Sequence, residues 1–457
     1  MDIHERECTW KELNNWIHPI ELNLCPEYLK HCKENFERLC KVPQHEQRTE
    51  GWFSQRLKFI TASDGSSPLY VDADMLERYR SGEMKLNKSN CRLGSPVNPY
   101  KNGKLSNEKE LIRKKVTGES IFKGNEACEW GKAHEPTATC FYEQFLAKKK
   151  VIEFGLMPHY DAERVPFLGA SPDGITEDGT RMLEIKCPFS NREIGPPASY
   201  YWVQMQLQME CCNIDVCDFL DCRIREFQGG RDEFLADTKY PIKGMILEIT
   251  DERYASFDQD RPREYICPPK IFISGEGPEC FQKDVQEMDE WFSEWAISQV
   301  TEDPHGYMFR ENNKRVFKRY WYISHFSCVA IKRDRKWFEK AFPIYKNIWD
   351  KILYYRDHTE EFERDILGKT NYKYIRLNST SSEEEYEDKR KRKLNETQRE
   401  RKKTKGPFKQ CMILASSEES DCEMDIIETS ILSEKISSFV HIKKRRELLI
   451  IPSDSDE

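Results

Sequence analysis

Apolar residues in the first stretch of the chain recur at helix-like intervals. Trp10, Leu13, Trp16 and Ile17 are followed by Leu29, Phe36 and Leu39, which predicts a small helical lead-in over residues 1–46. From residue 47 to 273 helical and strand patterns alternate, the signature of a mixed α/β domain, with residues 98–103 as a loop in its middle. Residues 274–378 are rich in aromatics. Trp291, Trp295, Trp321, Trp337, Phe338 and Trp349 are spaced as in helices, so this region reads as a helical C-terminal extension packed on the domain. Beyond residue 379 the periodicity stops. Acidic-serine runs alternate with basic blocks, and residues 379–457 bury too little apolar surface to offset ordering entropy, so a disordered charged tail is expected.

The most informative alternation lies in residues 167–188. Asp178-Gly179 is a strong two-residue turn signal, because a type I′ turn needs positive φ at both central positions. That turn would set Asp173 directly across from Glu184 and Ile175 across from Met182. Opposed side chains leave the same face of a sheet with Cβ atoms about 4.5–5.5 Å apart. Two carboxylates so placed repel each other, and a bound cation reverses the sign. Mg²⁺ suits such a pair, since it takes hard oxygen ligands from one or two carboxylates, waters and a substrate phosphate. Strand periodicity brings Lys186 to the face of Glu184, while Leu183, Ile185 and Cys187 point the other way. The arrangement suits phosphodiester cleavage; the same residues would also suit a solvated ion pair on an exposed hairpin.

Ser171-Pro172-Asp173-Gly174 followed by Leu183-Glu184-Ile185-Lys186-Cys187-Pro188-Phe189 resembles the PD-(D/E)XK nucleases, and more narrowly the lambda-exonuclease/YqaJ viral recombinase group. The resemblance runs in order from Gln47 to about residue 260. Trp52, Arg56 and Ile60-Thr61-Ala62-Ser63 look like its N-terminal motif, which implies that Arg56 and Ser63 hold a DNA 5′-phosphate. An Arg fork and a small hydroxyl are apt donors for that. Glu135, in Gly131-Lys132-Ala133-His134-Glu135-Pro136, is similar to a further acidic residue beside the metal. His134 next to it reads as a packing or solvent-exposed residue rather than a ligand. Gln204, in a helix with Tyr201 and Gln208 on one face and Trp202, Met205 and Met209 on another, matches the catalytic-region glutamine.

The resemblance implies a restriction-endonuclease-like central mixed sheet flanked by helices. It implies catalysis by Asp173, Glu184, Lys186, Gln204 and Glu135, and metal contacts from Asp173, Glu184 and Ile185. It implies Mg²⁺ as cofactor, with Mn²⁺ as an alternative. The expected activity is a 5′ to 3′ exonuclease on double-stranded DNA ends, in viral recombination, replication or repair. A single-strand annealing protein and a homo-oligomer are the other partners implied. An endonuclease on the same fold, an RNA nuclease and a non-catalytic DNA-binding scaffold stay open as alternatives.

Composition changes this picture little. The net charge of −8 gives no sign of a nucleic-acid binder, but the charges are segregated. Basic blocks at 389–393, 399–405 and 443–446 fit nuclear import, a non-specific grip on DNA or simply a soluble tail. Phosphorylation of the neighbouring serines would oppose them. Lys109, Arg113, Lys114, Lys115 and Lys148-Lys149-Lys150 fit either a DNA groove or solvated helix faces. The start of the chain lacks a basic-then-apolar leader, and no apolar run approaches the roughly 20 residues that span a bilayer. An intracellular site is expected, either a host nucleus or a cytoplasmic viral replication site. Seventeen scattered cysteines then read as reduced thiols. The cluster Cys211, Cys212, Cys217 and Cys222 lacks the histidine partner of a zinc site.

Overall fold

The structure is a computed structural model that describes residues 5–16, 25–69, 78, 81–83, 107–118, 124–251, 263–273, 277–303 and 306–368. The expected loop at 98–103, the charged tail 379–457 and Ile17 lie outside the described residues.

The lead-in supplies strand β1 (Arg6–Glu7), the short helix α1 (Trp10–Asn14), capped by the Thr9 hydroxyl, and α2 (Pro26–Lys41). Pro26 opens α2 at a position where a missing N–H costs nothing. Helix α3 (Glu50–Arg56), capped by Thr49, runs into β2 (Ile60–Thr61) and a 3₁₀ turn at Ala62–Asp64. Helices α4 (Asn107–Thr117) and α5 (Glu126–Phe141) come next. The strands β3 (Val151–Ile152), β4 (Met157–Pro158), β5 (Leu168–Ala170), β6 (Gly174–Thr176) and β7 (Met182–Lys186) follow. Helix α6 (Ser199–Cys212), β8 (Val216–Glu226), α7 (Gly230–Ala236), β9 (Lys243–Thr250) and β10 (Glu264–Ile266) continue the alternation. The C-terminal part holds α8 (Pro278–Gln299), β11 (Val300–Asp303), β12 (Gly306–Phe309), β13 (Arg315–Lys332), α9 (Arg335–Asp357) and α10 (Thr359–Asp365).

The main sheet runs β10-β9-β13-β8-β7-β6-β3, with β1 and β12 also paired to β13. It is mixed, because β7 and β8 are parallel while β6 and β7 are antiparallel. A smaller sheet, β2-β5-β4, lies apart from it. The expected mixed central sheet flanked by helices is therefore present. Helix α6 is nearly all buried, with Trp202, Met205, Leu207, Met209 and Cys211 in one core cluster with Trp337, Tyr345 and Ile348 of α9. Cys211, Cys212, Cys217 and Cys222 are buried free thiols whose pKa burial raises. Among the described residues no helix is long and apolar enough to cross a membrane.

Two expectations need correction. The region 274–378 is not helical throughout. It contains β13, an 18-residue strand that pairs with β9 through Arg315–Tyr322 and with β8 through Trp321–Lys332. Trp321, read as helical, lies on that strand. The hairpin has the expected register, Gly174 opposite Leu183 and Ile175 opposite Met182, but its turn is not type I′. Gly179 has φ 71° whereas Asp178 has no positive φ, and Gly179 N–H donates to the Thr176 carbonyl at 2.8 Å. The connection is a wider loop over residues 177–180. Asp178 Oδ1 holds it open by accepting from the Thr176 hydroxyl and from the Thr180 N–H and hydroxyl. Both loops leave the same residues opposed, so the register survived the wrong turn.

The end of α6 is tied to β13 by Glu210, whose carboxylate accepts from Arg333 Nε at 2.6 Å and lies 3.9 Å from the His159 ring. Burial opposes the Glu210 charge, but His159 and Arg333 outweigh it and draw the carboxyl from 4.5 down to about 2. A depressed folded-state pKa gives stability that is present above about 4.5 and lost as pH falls toward about 2. Glu210→Gln should cost about 3 kcal/mol at pH 7, because it leaves the buried Arg333 short of its counter-charge. Urea unfolding of both proteins at pH 7 and pH 3 checks this: the gap should narrow at the lower pH, and a constant gap would refute the assignment.

Candidate active site

The N-terminal part of the site is built by the tight succession of α3, β2 and the 3₁₀ turn. This succession folds Arg56 back over Thr61 and Ser63, and Arg56 Nη2 donates to their hydroxyls at 3.2 and 2.9 Å. The guanidinium lies 4.3 Å from the centre of the Trp52 ring, which fixes its plane. Ser63 is exposed and Arg56 half-buried, so the pair meets solvent. Sequence reasoning placed these two residues together, and they are together.

Asp173 enters β6 and Glu184 lies in the middle of β7, where the hairpin register opposes them. Glu184 is fully buried. Gln204 and Gln208, one turn apart on α6, each donate an amide N–H to it at 2.8 Å, to Oε1 and Oε2 respectively. Lys186 forms a short ion pair with Glu184, and its ammonium lies 4.9 Å from the centre of the Tyr201 ring. Asp173 Oδ2 accepts from the Ile185 N–H at 2.6 Å. Burial, then Glu184, then Glu135 push the Asp173 carboxyl well above the usual carboxylate range. Burial works against the Lys186 charge, yet Glu184 and Asp173 outweigh it and keep the side chain an ammonium. Glu135, on α5, is held by Arg48 Nη2 at 2.8 Å. Its effect on Asp173 places it within electrostatic reach of the pair.

Several residues do not behave as the sequence suggested. Lys115 is buried on Asp64, and Lys149 is paired with Asp178, so neither is a free groove-lining cation. Arg113 is buried beside Glu110. His134, in contrast, packs as one of its readings had it: it is fully buried with its ring 4.2 Å from Trp130, and burial lowers its pKa. Three contributors were missed as site residues. Gln208 was visible on the face of Gln204, at the next helical turn. Ser171 stood in the Ser171-Pro172-Asp173-Gly174 motif without a role of its own, and Arg48 gave no local signal. Ser171 Oγ accepts from Trp52 Nε1 at 2.9 Å, and its carbonyl accepts from Gln208 at 3.3 Å, so it joins the two halves of the site.

A divalent cation fits this donor set. Among the described residues no group of three or more His, Cys, Asp or Glu side chains forms a ready-made cage. Asp173 and Glu184 with a main-chain oxygen are the smaller set that Mg²⁺ uses, completing its shell with water. Gln208 Oε1 is buried without a partner beside them, and the repulsion that raises Asp173 is what a cation would relieve.

The site is thus a carboxylate hairpin beside a parallel strand in a mixed sheet, covered by a glutamine-bearing helix. Residues 51–215 match the YqaJ-like viral recombinase domain. An uncharacterized protein of Acanthamoeba polyphaga mimivirus is 27% identical over 392 residues, covering 75% of this chain. The match spans 62% of that relative's length. Among solved structures, an alkaline exonuclease from Laribacter hongkongensis shares 17% identity over 70% of this chain and all of its own, with a TM-score of 0.33. A phage-related exonuclease from Haemophilus somnus shares 10% over 66% of this chain and 93% of its own, with a TM-score of 0.30.

The opposed carboxylates should cost stability when no cation is bound. Asp173→Asn keeps an oxygen for the Ile185 N–H and removes the repulsion, so it should stabilise the protein in EDTA by about 1 kcal/mol. Thermal unfolding at pH 8 in EDTA measures it. A lower melting temperature than wild type would show that the pairing carries no strain.

Proposed function

We propose that the protein is a Mg²⁺-dependent deoxyribonuclease that digests double-stranded DNA from its ends, 5′ to 3′. The observation that carries this reading is the physical link between two sites of opposite character. The Arg56–Ser63 pocket is joined through Trp52, Ser171 and Gln208 to the Glu184 centre. The match to the YqaJ-like viral recombinase domain supports it.

In this reading Arg56 and Ser63 bind the 5′-terminal phosphate and set how far the chain reaches toward the carboxylates. Asp173, Glu184 and the Ile185 main chain hold the cation, with Mn²⁺ as an alternative to Mg²⁺. When bound, it supplies an activated water and offsets charge on the scissile phosphate. Lys186, kept protonated by Glu184 and Asp173, is placed to donate to that phosphate as its charge grows. Gln204 and Gln208 fix the Glu184 oxygens through their amides and add no charge of their own. Glu135 adds negative field beside Asp173 and is itself oriented by Arg48. Recombination, replication or repair of viral DNA is the setting proposed. A single-strand annealing protein and further copies of this chain are the proposed partners, in a nucleus or a cytoplasmic replication site.

Digestion of linear duplex, 5′-phosphorylated and labelled at one end, tests the reading in Mg²⁺ and in EDTA. Wild type should release label only with Mg²⁺ and leave a closed circle intact. Lys186→Ala should slow release by at least about a hundredfold. Cutting of the closed circle would shift the reading to an endonuclease, and intact linear duplex under all conditions would leave only a binding scaffold.

A further inference from the structure

The charged residues behind Arg56 and Ser63 have no part in the reading so far, yet they form one connected network. Asp64, at the end of the 3₁₀ turn, faces three cations from two elements. Lys114 Nζ of α4 lies 2.9 Å from its Oδ1 and Lys115 Nζ 2.9 Å from its Oδ2. The third is the Arg56 guanidinium of α3, which acts on Asp64 electrostatically. The Thr61 hydroxyl donates to Asp64 Oδ2 at 2.7 Å and also accepts from Arg56, so the carboxylate and the guanidinium share one hydroxyl. Lys115 has 1% of its side chain exposed, and it also donates to the Arg56 carbonyl at 2.9 Å. From α9, Arg356 donates to the carbonyls of Leu57 and Lys115 at 2.7 and 2.9 Å and ties α3 to α4 at this point.

Three cations against one carboxylate leave two positive charges in excess at a largely buried site. Burial opposes the Asp64 charge, but Lys115, Lys114 and Arg56 hold it well below the usual carboxylate range, so it stays ionised. Burial outweighs the pull of Asp64 at Lys115 and lowers it to about 8. The positive excess is thus held against a desolvation cost that an anion would offset. Lys114 keeps 31% of its side chain exposed, and an ammonium has three donors, so capacity for a ligand remains beside Asp64. A terminal phosphate monoester carries about two negative charges near neutral pH, whereas a diester within the chain carries one. The excess matches the end and not the interior.

We propose that Lys114 is a further ligand of the 5′-terminal phosphate beside Arg56 and Ser63, and that Asp64, braced by Lys115, positions it so that the pocket prefers a monoester end. This rests on the end-directed nuclease function proposed above. Lys115 and Asp64 act through Arg56 and Lys114 and touch no substrate.

The test measures binding of full-length protein to two otherwise identical blunt duplexes, one 5′-phosphorylated and one 5′-hydroxyl, by fluorescence anisotropy in EDTA. Wild type should prefer the phosphorylated duplex. Lys114→Ala should reduce that preference about tenfold or more, the worth of one charge-assisted hydrogen bond, and Lys114→Arg should restore most of it. Lys58→Ala removes an exposed cation two residues after Arg56 and should weaken both duplexes equally. The proposal fails if Lys114→Ala keeps the wild-type preference, if Lys58→Ala reduces it as much, or if wild type binds both duplexes alike. Digestion of the same duplexes in Mg²⁺ separates this from the parent reading. Cutting by wild type with an unchanged preference in Lys114→Ala removes only the Lys114 assignment. Absence of cutting removes the nuclease reading, and the EDTA preference still decides on Lys114.

Discussion

Two carboxylates face each other across the β6–β7 hairpin, and much of the surrounding structure exists to hold them there. Asp173 and Glu184 repel, so each must be fixed by groups that bring partial or full positive charge. The Ile185 N–H holds Asp173, and Lys186, Gln204 and Gln208 hold Glu184. Such an arrangement needs a rigid frame. Gly174, next to Asp173, has no room for a side chain, because a Cβ there would lie 2.1 Å from Val151 Cγ1 of β3. Gly179 closes the far end of the hairpin against α2, where an added Cβ would lie 2.4 Å from the Cys32 carbonyl. The lead-in helix therefore clamps the turn whose register sets the carboxylate pair.

The frame extends well past the family-matched segment. That segment ends at residue 215, and β8 begins at Val216. β8 is the parallel neighbour of β7 and carries it from Met182 to Lys186. β8 in turn is covered by β13, and the Glu210–Arg333 pair locks the glutamine helix to the end of β13. Without β13, β8 would present a long unpaired edge, a liability that folds seldom leave open. The sheet that presents Glu184 is thus completed by a strand more than a hundred residues further along the chain.

The parts of this structure that were legible in sequence are those governed by local rules. The hairpin register could be read because alternation and a turn signal agree, and a two-residue and a four-residue loop leave the same residues opposed. The turn type could not, because the Asp178 side chain bonds Thr176 and Thr180 and so competes with the type I′ geometry that Asp-Gly favours. β13 was hidden because its period-two pattern is interrupted by a register shift between Ile323 and His325, while its aromatics match helical intervals. Lys114 and Lys115 read equally as groove-lining cations or as a solvated helix face. Their carboxylate partner is Asp64, far off in the chain, and only the fold shows that one of the two lysines is buried.

The two halves of the site carry opposite electrostatic imbalances, and this gives a DNA end only one sensible orientation under the proposed function. The pocket around Arg56 holds an excess of cations, while the hairpin holds carboxylates that raise Asp173 and repel phosphate. A phosphate offered to the hairpin alone meets repulsion until a cation is present. One offered to the pocket is attracted without any cofactor. End capture and cutting are then separable steps of different ionic character, joined by the hydrogen-bonded thread of Trp52, Ser171 and Gln208. Salt screens the attraction at the mouth of the pocket, where Ser63 is exposed, more strongly than the buried contacts at Glu184. Ionic strength should therefore act mainly on capture, and the divalent cation mainly on the chemical step.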